Sequence, residues 1–492
     1  MKSQNYYESP LSKFHQHASN VQHACRRDER LYSTRRGNFS FRRASINALI
    51  AFFGTGWAMF ATPTSAEPMT LETALAAAYL SNPQLEAQRA ALRATDEEVA
   101  KALAGWRPTI GGSASYGWQN QNQTLLGAGS RTSVPQAEQL TITQPLFSGR
   151  TIPSVARAKQ FVSAGREELR AMEQSVLLNA TIAYFSVLRD QEIVEAYRED
   201  LVHLRDIQKN TESRLRLGDL TKTDASQASA RHLGSQISFA AAQQQLAASR
   251  ATFEHVIGRP AESLVEHSIP NLPSDPDKGL RDALSNNPSL AQKRAEAEAA
   301  RKNVDVAVGA LLPTLSVQAQ YGRSIDTIAP GVRSNGLSVL GQLNIPFYQG
   351  GAEQAGVRQA KEQSSQALLA SYETERQVRE DFTTAWNLFN SSQGAAALAV
   401  QQASENETAF LGATIESKVG SRNIIDILNA EQELLQAKIA AISQRTATIV
   451  AAYRVLAATG HMTAADLKLP APLYNPIDHY EQDATKWFGL GN

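Results

Sequence analysis

Two glycine-centred turns, set a fixed distance apart, constrain this chain more than any other feature. Gly420 interrupts a long helix-forming run and is followed six residues later by Asp426; Gly218 interrupts an earlier one and is followed six residues later by Asp224. Glycine enters the left-handed conformation that ends a helix without steric cost, so each marks a reversal between two helices. The correspondence extends along the chain. Gly258 matches Gly460 at the same offset of 202, and Pro145 and Gly149 match Pro346 and Gly350 at 201. Asn82-Pro83, Pro108-Thr109 and Tyr116-Gly117 return as Asn287-Pro288, Pro313-Thr314 and Tyr321-Gly322 at 205. The chain is therefore internally duplicated, with copies over 67–258 and 278–469, a proline-rich linker over 259–277 and a C-terminal tail over 470–492.

Within each copy the expected order is helix, two strands, very long helix, turn, long helix. The long runs, Ile152 to Leu217 and Ala352 to Val419, are dense in Ala, Gln, Glu, Leu and Arg, which favour helix. Their only proline, Pro153, falls in a first turn, where its missing N–H is harmless. At 1.5 Å per residue each run would reach about 100 Å, too long for a compact domain. Val162, Leu169, Val176 and Ala183 step by sevens, as do Val187, Val194 and Leu201, which calls for coiled-coil packing. The return helices are expected at about Leu220 to Ile257 and Asn423 to Thr459. The first helix should run from about Leu71 to Ala104, broken near Asn82-Pro83.

Strands are expected at about 109–118, 139–147, 314–323 and 337–347. Leu315, Val317, Ala319 and Tyr321 alternate with Thr314, Ser316, Gln318 and Gln320, and the other three segments alternate in the same manner. A greasy face opposite a small polar face over about ten residues suits a membrane barrel strand, and equally a half-exposed strand of a soluble sandwich. The strand count bears on the choice. Four strands cannot close a barrel and an open edge is not tolerated in lipid, so the membrane reading demands several chains, and three would supply twelve strands.

Charge and export signals narrow the classes. Residues 1–66 hold nine Lys/Arg and three Asp/Glu; with 48 of each in the chain, the remainder has 39 basic and 45 acidic residues, net −6. That argues against a nucleic-acid partner. Arg42-Arg43, an apolar run from Ile46 to Phe60 and Thr64-Ser65-Ala66 have the form of a signal peptide after a polar extension, with cleavage expected after Ala66. The only cysteine, Cys25, lies upstream of that apolar run, so the mature chain would have no thiol. Beyond Ala66 no stretch reaches the roughly 18 apolar residues of a spanning helix.

In this order the residues resemble the TolC family of outer-membrane channel-tunnels, over about 67–492. The marks are the duplicated plan, Gln144-Pro145-Leu146-Phe147 with Gly149, its echo Ile345-Pro346-Phe347 with Gly350, and V-G-S-R-N-I-I-D-I-L-N-A at 419–430. Tyr474-Asn475-Pro476 through Trp487-Phe488-Gly489 is similar to the tail of secretion-type members. The resemblance implies an α+β, mainly α fold. It implies a homotrimer with one twelve-stranded barrel in outer-membrane lipid and a helical barrel crossing the periplasm to a narrow tip. The implied function is an exit duct, for type I secretion in preference to drug efflux, docking with a periplasmic adaptor and an inner-membrane ABC or RND-type pump.

The same resemblance implies site residues. Asp426 would line the periplasmic constriction, and Arg422 would donate to Thr223 and Asp224 to hold the tip shut. Asn429 stands where the family has a second constriction aspartate and Ser417 where it has a locking tyrosine, so the gate would be less negative and more loosely closed. Gly218, Asp219, Leu220, Val419, Gly420 and Ser421 would form the adaptor-docking turns. The plainer readings are solvated first-turn carboxylates near helix N-termini for the two aspartates, and a surface side chain for Arg422. His203, His232, His255, His267, His461 and His479 show no metal-ligand spacing and no nucleophile partner, so packing or surface roles are expected. No phosphate loop, nucleophile elbow or paired-carboxylate arrangement stands out, and neither an enzyme nor a cofactor is read. A periplasmic adaptor or a secreted coiled coil are the other classes; neither explains both the duplication and the strands.

Overall fold

A computed structural model describes residues 68–123, 129–265 and 269–489. The signal peptide and its cleavage site lie outside the described residues. The first helix breaks where the sequence places the break, giving α1 (Leu71–Ser81) and α2 (Pro83–Leu103). A 3-10 turn over Ala104–Trp106 leads into the strands β1 (Thr109–Tyr116), β2 (Gln119–Gln123), β3 (Gly129–Ser133) and β4 (Gln136–Ser148). The long helix α3 (Thr151–Leu217) and its return α4 (Lys222–Ile257) complete the first copy. The second copy runs α5 (Pro276–Asn286), α6 (Pro288–Gly309), β5 (Thr314–Ile325), β6 (Arg333–Asn344), α7 (Ala352–Lys418) and α8 (Ile424–Ala458). A short α9 (Asp478–Asp483) lies in the tail. Among the described residues no helix is long and apolar enough to cross a membrane.

The repeated Asn-Pro pairs have a structural reason. The side chain of Asn82 accepts from the Gln84 N–H at 2.9 Å to cap α2, with Pro83 at the first helical position, while its amide donates to the Val256 carbonyl at the end of α4 (3.2 Å). Asn287 repeats both tasks, capping α6 through the Ser289 N–H (3.0 Å) and donating to the Ala458 carbonyl at the end of α8 (3.3 Å). One asparagine thus ties the start of a short helix to the end of a return helix in each copy. Gly258 and Gly460, both left-handed, then turn the chain away.

The long helices pair as α3 with α4 and α7 with α8. Along α7 the buried residues Ser371, Val378, Ala385, Ser392 and Ala399 step by sevens, and along α4 Ala228, Ser235, Ala242 and Ser249 do the same. A strict seven-residue repeat drifts from the 3.6-residue period and imposes a left-handed supercoil. In α3, Val162, Leu169, Val176, Ala183, Val187 and Val194 are buried as the heptads require, and Leu201 is half-buried.

The strands form one antiparallel sheet in the order β1-β4-β5-β6, with β2 and β3 pairing as a separate ribbon. The register aligns residue types across all four strands. Ile110, Ile142, Ala319 and Val339 form one row, and Gly112, Leu140, Tyr321 and Leu337 the next but one, on the same face. The intervening row, Gly111, Thr141, Gln320 and Ser338, lies on the other face. The alternation expected from the sequence is therefore coherent across the sheet, not only along each strand. Pro145 sits in β4 at a register shift that leaves Leu146 unpaired, a place where proline's missing N–H costs no ladder bond. The β2–β3 ribbon corrects the expectation of two strands per copy. Gln119 to Gln123 is an alternation of Gln and Asn, with no apolar face to betray a strand.

Candidate functional site

The two turns lie at the far ends of the long helices and share a backbone plan. In the first, Gly218 has φ +87° and donates to the Leu215 carbonyl, while the Asp219 N–H reaches back to Arg214, both at 3.0 Å. In the second, Gly420 has φ +80°; its N–H donates to Ser417 at 3.2 Å and the Ser421 N–H to Glu416 at 3.0 Å. These bonds satisfy carbonyls that the helix end would otherwise leave open. Leu217 and Val419, each just before a glycine, are 78% and 77% exposed. Gly218, Asp219, Gly420 and Ser421 are exposed as well, with Leu220 half-buried.

The aspartates occupy the third helical position of α4 and α8 and are used differently. Asp224 belongs to a reciprocal cap: its carboxylate accepts from the Thr221 N–H (3.0 Å) and hydroxyl (2.7 Å), and its own N–H donates to that hydroxyl (3.2 Å). The hydroxyl and then the N–H of Thr221 hold the Asp224 carboxyl below the usual carboxylate range. In α8 the capping position falls to Asn423, whose side chain makes no capping bond, and only backbone joins Asp426 to it (3.2 Å). Among the described residues no donor reaches the Asp426 carboxylate. The second turn thus presents a free half-buried carboxylate where the first presents a spent one.

Arg422 is not brought to Thr223 or Asp224 within the chain; its Nε donates to Glu416 at 2.7 Å, with both side chains half exposed. Asn429 accepts from Arg231 of α4 at 3.2 Å, and Arg231 also reaches Gln432. Sequence reasoning missed both Glu416 and Arg231. Ser417 is buried at the end of α7.

Behind the tip, a polar cluster joins α8 to α3 and α4. Glu431, 3% exposed, accepts from or donates to His203 Nδ1 at 2.8 Å, and the His203 ring stacks on Phe410 at 5.6 Å. Asp200 accepts from the Ser235 hydroxyl. Burial pushes both carboxyls above the usual range, against the pull of His203 on Glu431 and of Ser235 on Asp200. Lys438 with Glu199 (3.0 Å) and Arg445 with Glu192 continue the join between α8 and α3. At the opposite end of the helices, His479 packs among carboxylates. His479 and Asp483, four residues apart, meet Glu97 of α2, with one ligand atom from each of the three within 4.8 Å of the others. The spacing was visible in the sequence; the third member comes from the other end of the chain.

Comparison with known proteins follows this geometry. The family model described as outer membrane efflux protein matches residues 74–259 and again 279–461. The outer membrane efflux protein BepC of Brucella suis biovar 1 is 33% identical over 432 residues, covering 86% of this chain and 92% of BepC. The outer membrane protein TolC of Escherichia coli K12 is 24% identical, over 79% of this chain and 82% of TolC. The alkaline protease secretion protein AprF of Pseudomonas aeruginosa is 26% identical, over 68% of this chain and 71% of AprF. Among solved structures, the Campylobacter jejuni CmeC outer membrane channel superposes with a TM-score of 0.71 at 15% identity, covering 84% of this chain and 89% of CmeC. These matches set aside the adaptor and secreted coiled-coil readings. With both copies matched and the architecture shared, the chain belongs to the outer membrane efflux protein family, the TolC-type channels of the outer membrane.

Proposed function

We propose that three copies of this chain assemble into an exit duct. Three four-stranded sheets close a twelve-stranded barrel in the outer membrane, and the long helices form the wall of a tunnel across the periplasm. The observation that carries this reading is the sheet. Ile110, Ile142, Ala319 and Val339, with Leu140, Tyr321 and Leu337, fall on one face in aligned rows, and β1 and β6 are left as open edges in the single chain. An unpaired edge in hydrocarbon leaves backbone donors and acceptors unsatisfied, so each β6 should pair with the β1 of another copy. The exposed apolar residues before the glycines, Leu217 and Val419, give the tip a surface for a periplasmic adaptor, through which an inner-membrane ABC or RND-type pump would connect. Asp426, whose carboxylate meets no donor among the described residues, is the residue best placed to line the constriction. Arg422, Asn429, Thr223, Asp224 and Ser417 would set how firmly the tip closes.

Protein cargo, by type I secretion, is supported by the tail and by similarity to AprF; small-molecule efflux is the second reading, supported by the name of BepC. Assembly is tested by exploiting a mature chain without cysteine. Ser113→Cys in β1, combined in turn with Ser334→Cys, Ser338→Cys or Gln342→Cys in β6, should yield a disulfide-linked ladder in oxidised outer membranes. The ladder should end at three chains; one that ends at two, runs past three or never forms refutes the closed trimer. Export of secreted proteins and accumulation of dyes, compared between a deletion strain and its complement, then assigns the cargo.

A further inference from the structure

We propose that Glu97, His479 and Asp483 form a binding site for a divalent transition-metal ion of the zinc class, which fastens the C-terminal segment to α2. The tail already lies along the first copy. The Tyr474 N–H donates to the Tyr79 hydroxyl at 3.0 Å, and Arg89 lies against both rings at 4.7 and 5.0 Å. Further along, Arg107 donates to the carbonyls of Lys486 (2.6 Å) and Thr485 (3.2 Å) and sits over the Trp487 ring. Between these two anchors, α9 places His479 and Asp483 on one face, as a four-residue spacing must.

The His479 ring is held from both sides. Nδ1 lies 3.1 Å from an oxygen of Asp96, and Nε2 lies 3.1 Å from Asp483 Oδ2. Asp96 is 1% exposed, and its other oxygen has no hydrogen-bond partner among the described residues. When Asp96 accepts the Nδ1 proton, the Nε2 lone pair is left facing Glu97 and Asp483. A carboxylate behind the imidazole is the usual outer support of a metal-binding histidine. At metal–ligand bonds of about 2.1 Å, neighbouring donors of a tetrahedral centre stand about 3.4 Å apart, a modest contraction of the present group.

The donor set is one imidazole nitrogen and two carboxylate oxygens, with room for water because Glu97 is exposed. An imidazole donor favours zinc, nickel, cobalt or copper over magnesium and calcium. The local charge agrees. Asp96, Glu97 and Asp483 are answered by Arg166, which lies over the Tyr480 ring at 5.2 Å, and by Lys486, which pairs with Asp483. Lys486 is more than half exposed and touches the Asp483 oxygen that does not face His479, so it can stay or swing aside. The competing account is an imidazolium bridging two carboxylates with no metal.

The two accounts separate in a titration of the detergent-solubilised full-length protein, purified without a polyhistidine tag and stripped with chelator. Zinc added against a chromophoric competitor should bind at one ion per chain. Glu97→Gln, at an exposed position that leaves the fold intact, should weaken binding at least tenfold, and His479→Gln should abolish it. Asp96→Asn should keep the stoichiometry and weaken binding by about 10- to 100-fold, the range for an outer-shell partner. His461→Gln should change nothing, since among the described residues His461, 3.6 Å from Asp466, belongs to no group of three such ligands. Zinc should also slow proteolysis of the segment after Pro476 in the wild type and not in Glu97→Gln. Failure to bind zinc, or binding undiminished in both Glu97→Gln and His479→Gln, overturns the site in favour of the bridging imidazolium.

Discussion

Ala319→Arg should abolish assembly while Gln320→Arg, its immediate neighbour, should not. Ala319 stands at the middle of β5, in the row with Ile110, Ile142 and Val339. If that face meets lipid, the guanidinium enters hydrocarbon at about mid-depth, at a cost of about 2 to 4 kcal/mol per chain. One chain alone would lose about 30- to 1,000-fold in its folding equilibrium, since each 1.4 kcal/mol is tenfold. Three chains in one barrel carry the cost three times, about 6 to 12 kcal/mol in all, comparable to the whole stability of a small domain. Gln320 belongs to the row with Gly111, Thr141 and Ser338, so an arginine there faces the lumen and stays hydrated. The assay is semi-native electrophoresis of unheated outer membranes, read as the fraction of trimer. Equal loss in both variants, or equal retention, refutes the assignment of the two faces.

Other outcomes follow from the tip and the helix ends. Asp426→Asn should reduce block by trivalent cations added on the periplasmic side in planar-bilayer recordings, because no donor among the described residues reaches that carboxylate. Asn429→Asp should deepen block only slightly, since Arg231 is positioned to pair with the new charge; in combination with Arg231→Ala the deepening should be full, and equal effects with and without Arg231 would refute the pairing. Gly460→Ala should unfold the protein at markedly lower temperature than Gly258→Ala. A Cβ at Gly460 would meet the Asn286 carbonyl oxygen at 2.4 Å, whereas at Gly258 it meets only the movable Ser81 hydroxyl at 2.8 Å. Glu431→Gln should raise the thermal midpoint at alkaline pH. Burial raises the folded-state pKa of Glu431, so burying its charge costs stability above that pKa and the cost fades as pH falls through it. The advantage of the glutamine should therefore shrink on acidification, and a pH-independent difference would refute the linkage.

Much of the architecture was legible because it is written in residues with strong backbone preferences. The Asn-Pro pairs, the four glycines that end long or return helices, and the seven-residue spacing of α3 located the elements to within a few residues. Strand pairing was legible where one face is apolar and illegible in β2 and β3, where Gln, Asn and Ser carry no periodic signal. At the tip, positions were legible and partners were not. Asp224 and Asp426 share a spacing from their glycines, and Thr221 and Asn423 are both residues that commonly cap helices. Only the observed geometry separates a carboxylate folded back into a cap from one left free. Arg231 and Glu416 escaped notice because a lone charged residue on a polar helix face has no pattern to betray its partner. The carboxylates beside His479 were not legible because Asp96 and Glu97 lie nearly four hundred residues away in sequence.

The different fates of the two aspartates bear on what a partner meets at the end of such a duct. Two turns per chain and three chains would present six loops of nearly the same backbone shape. At the third helical position only one loop in each pair would offer an uncommitted acid, because the other has spent its Asp224 on Thr221. Shape would then repeat around the axis twice as often as charge does. A ring of six identical docking elements would fit everywhere by contour, yet divide into two alternating sets by electrostatics. The duplication that built the chain would in this way supply a mould for six while keeping an address system for three.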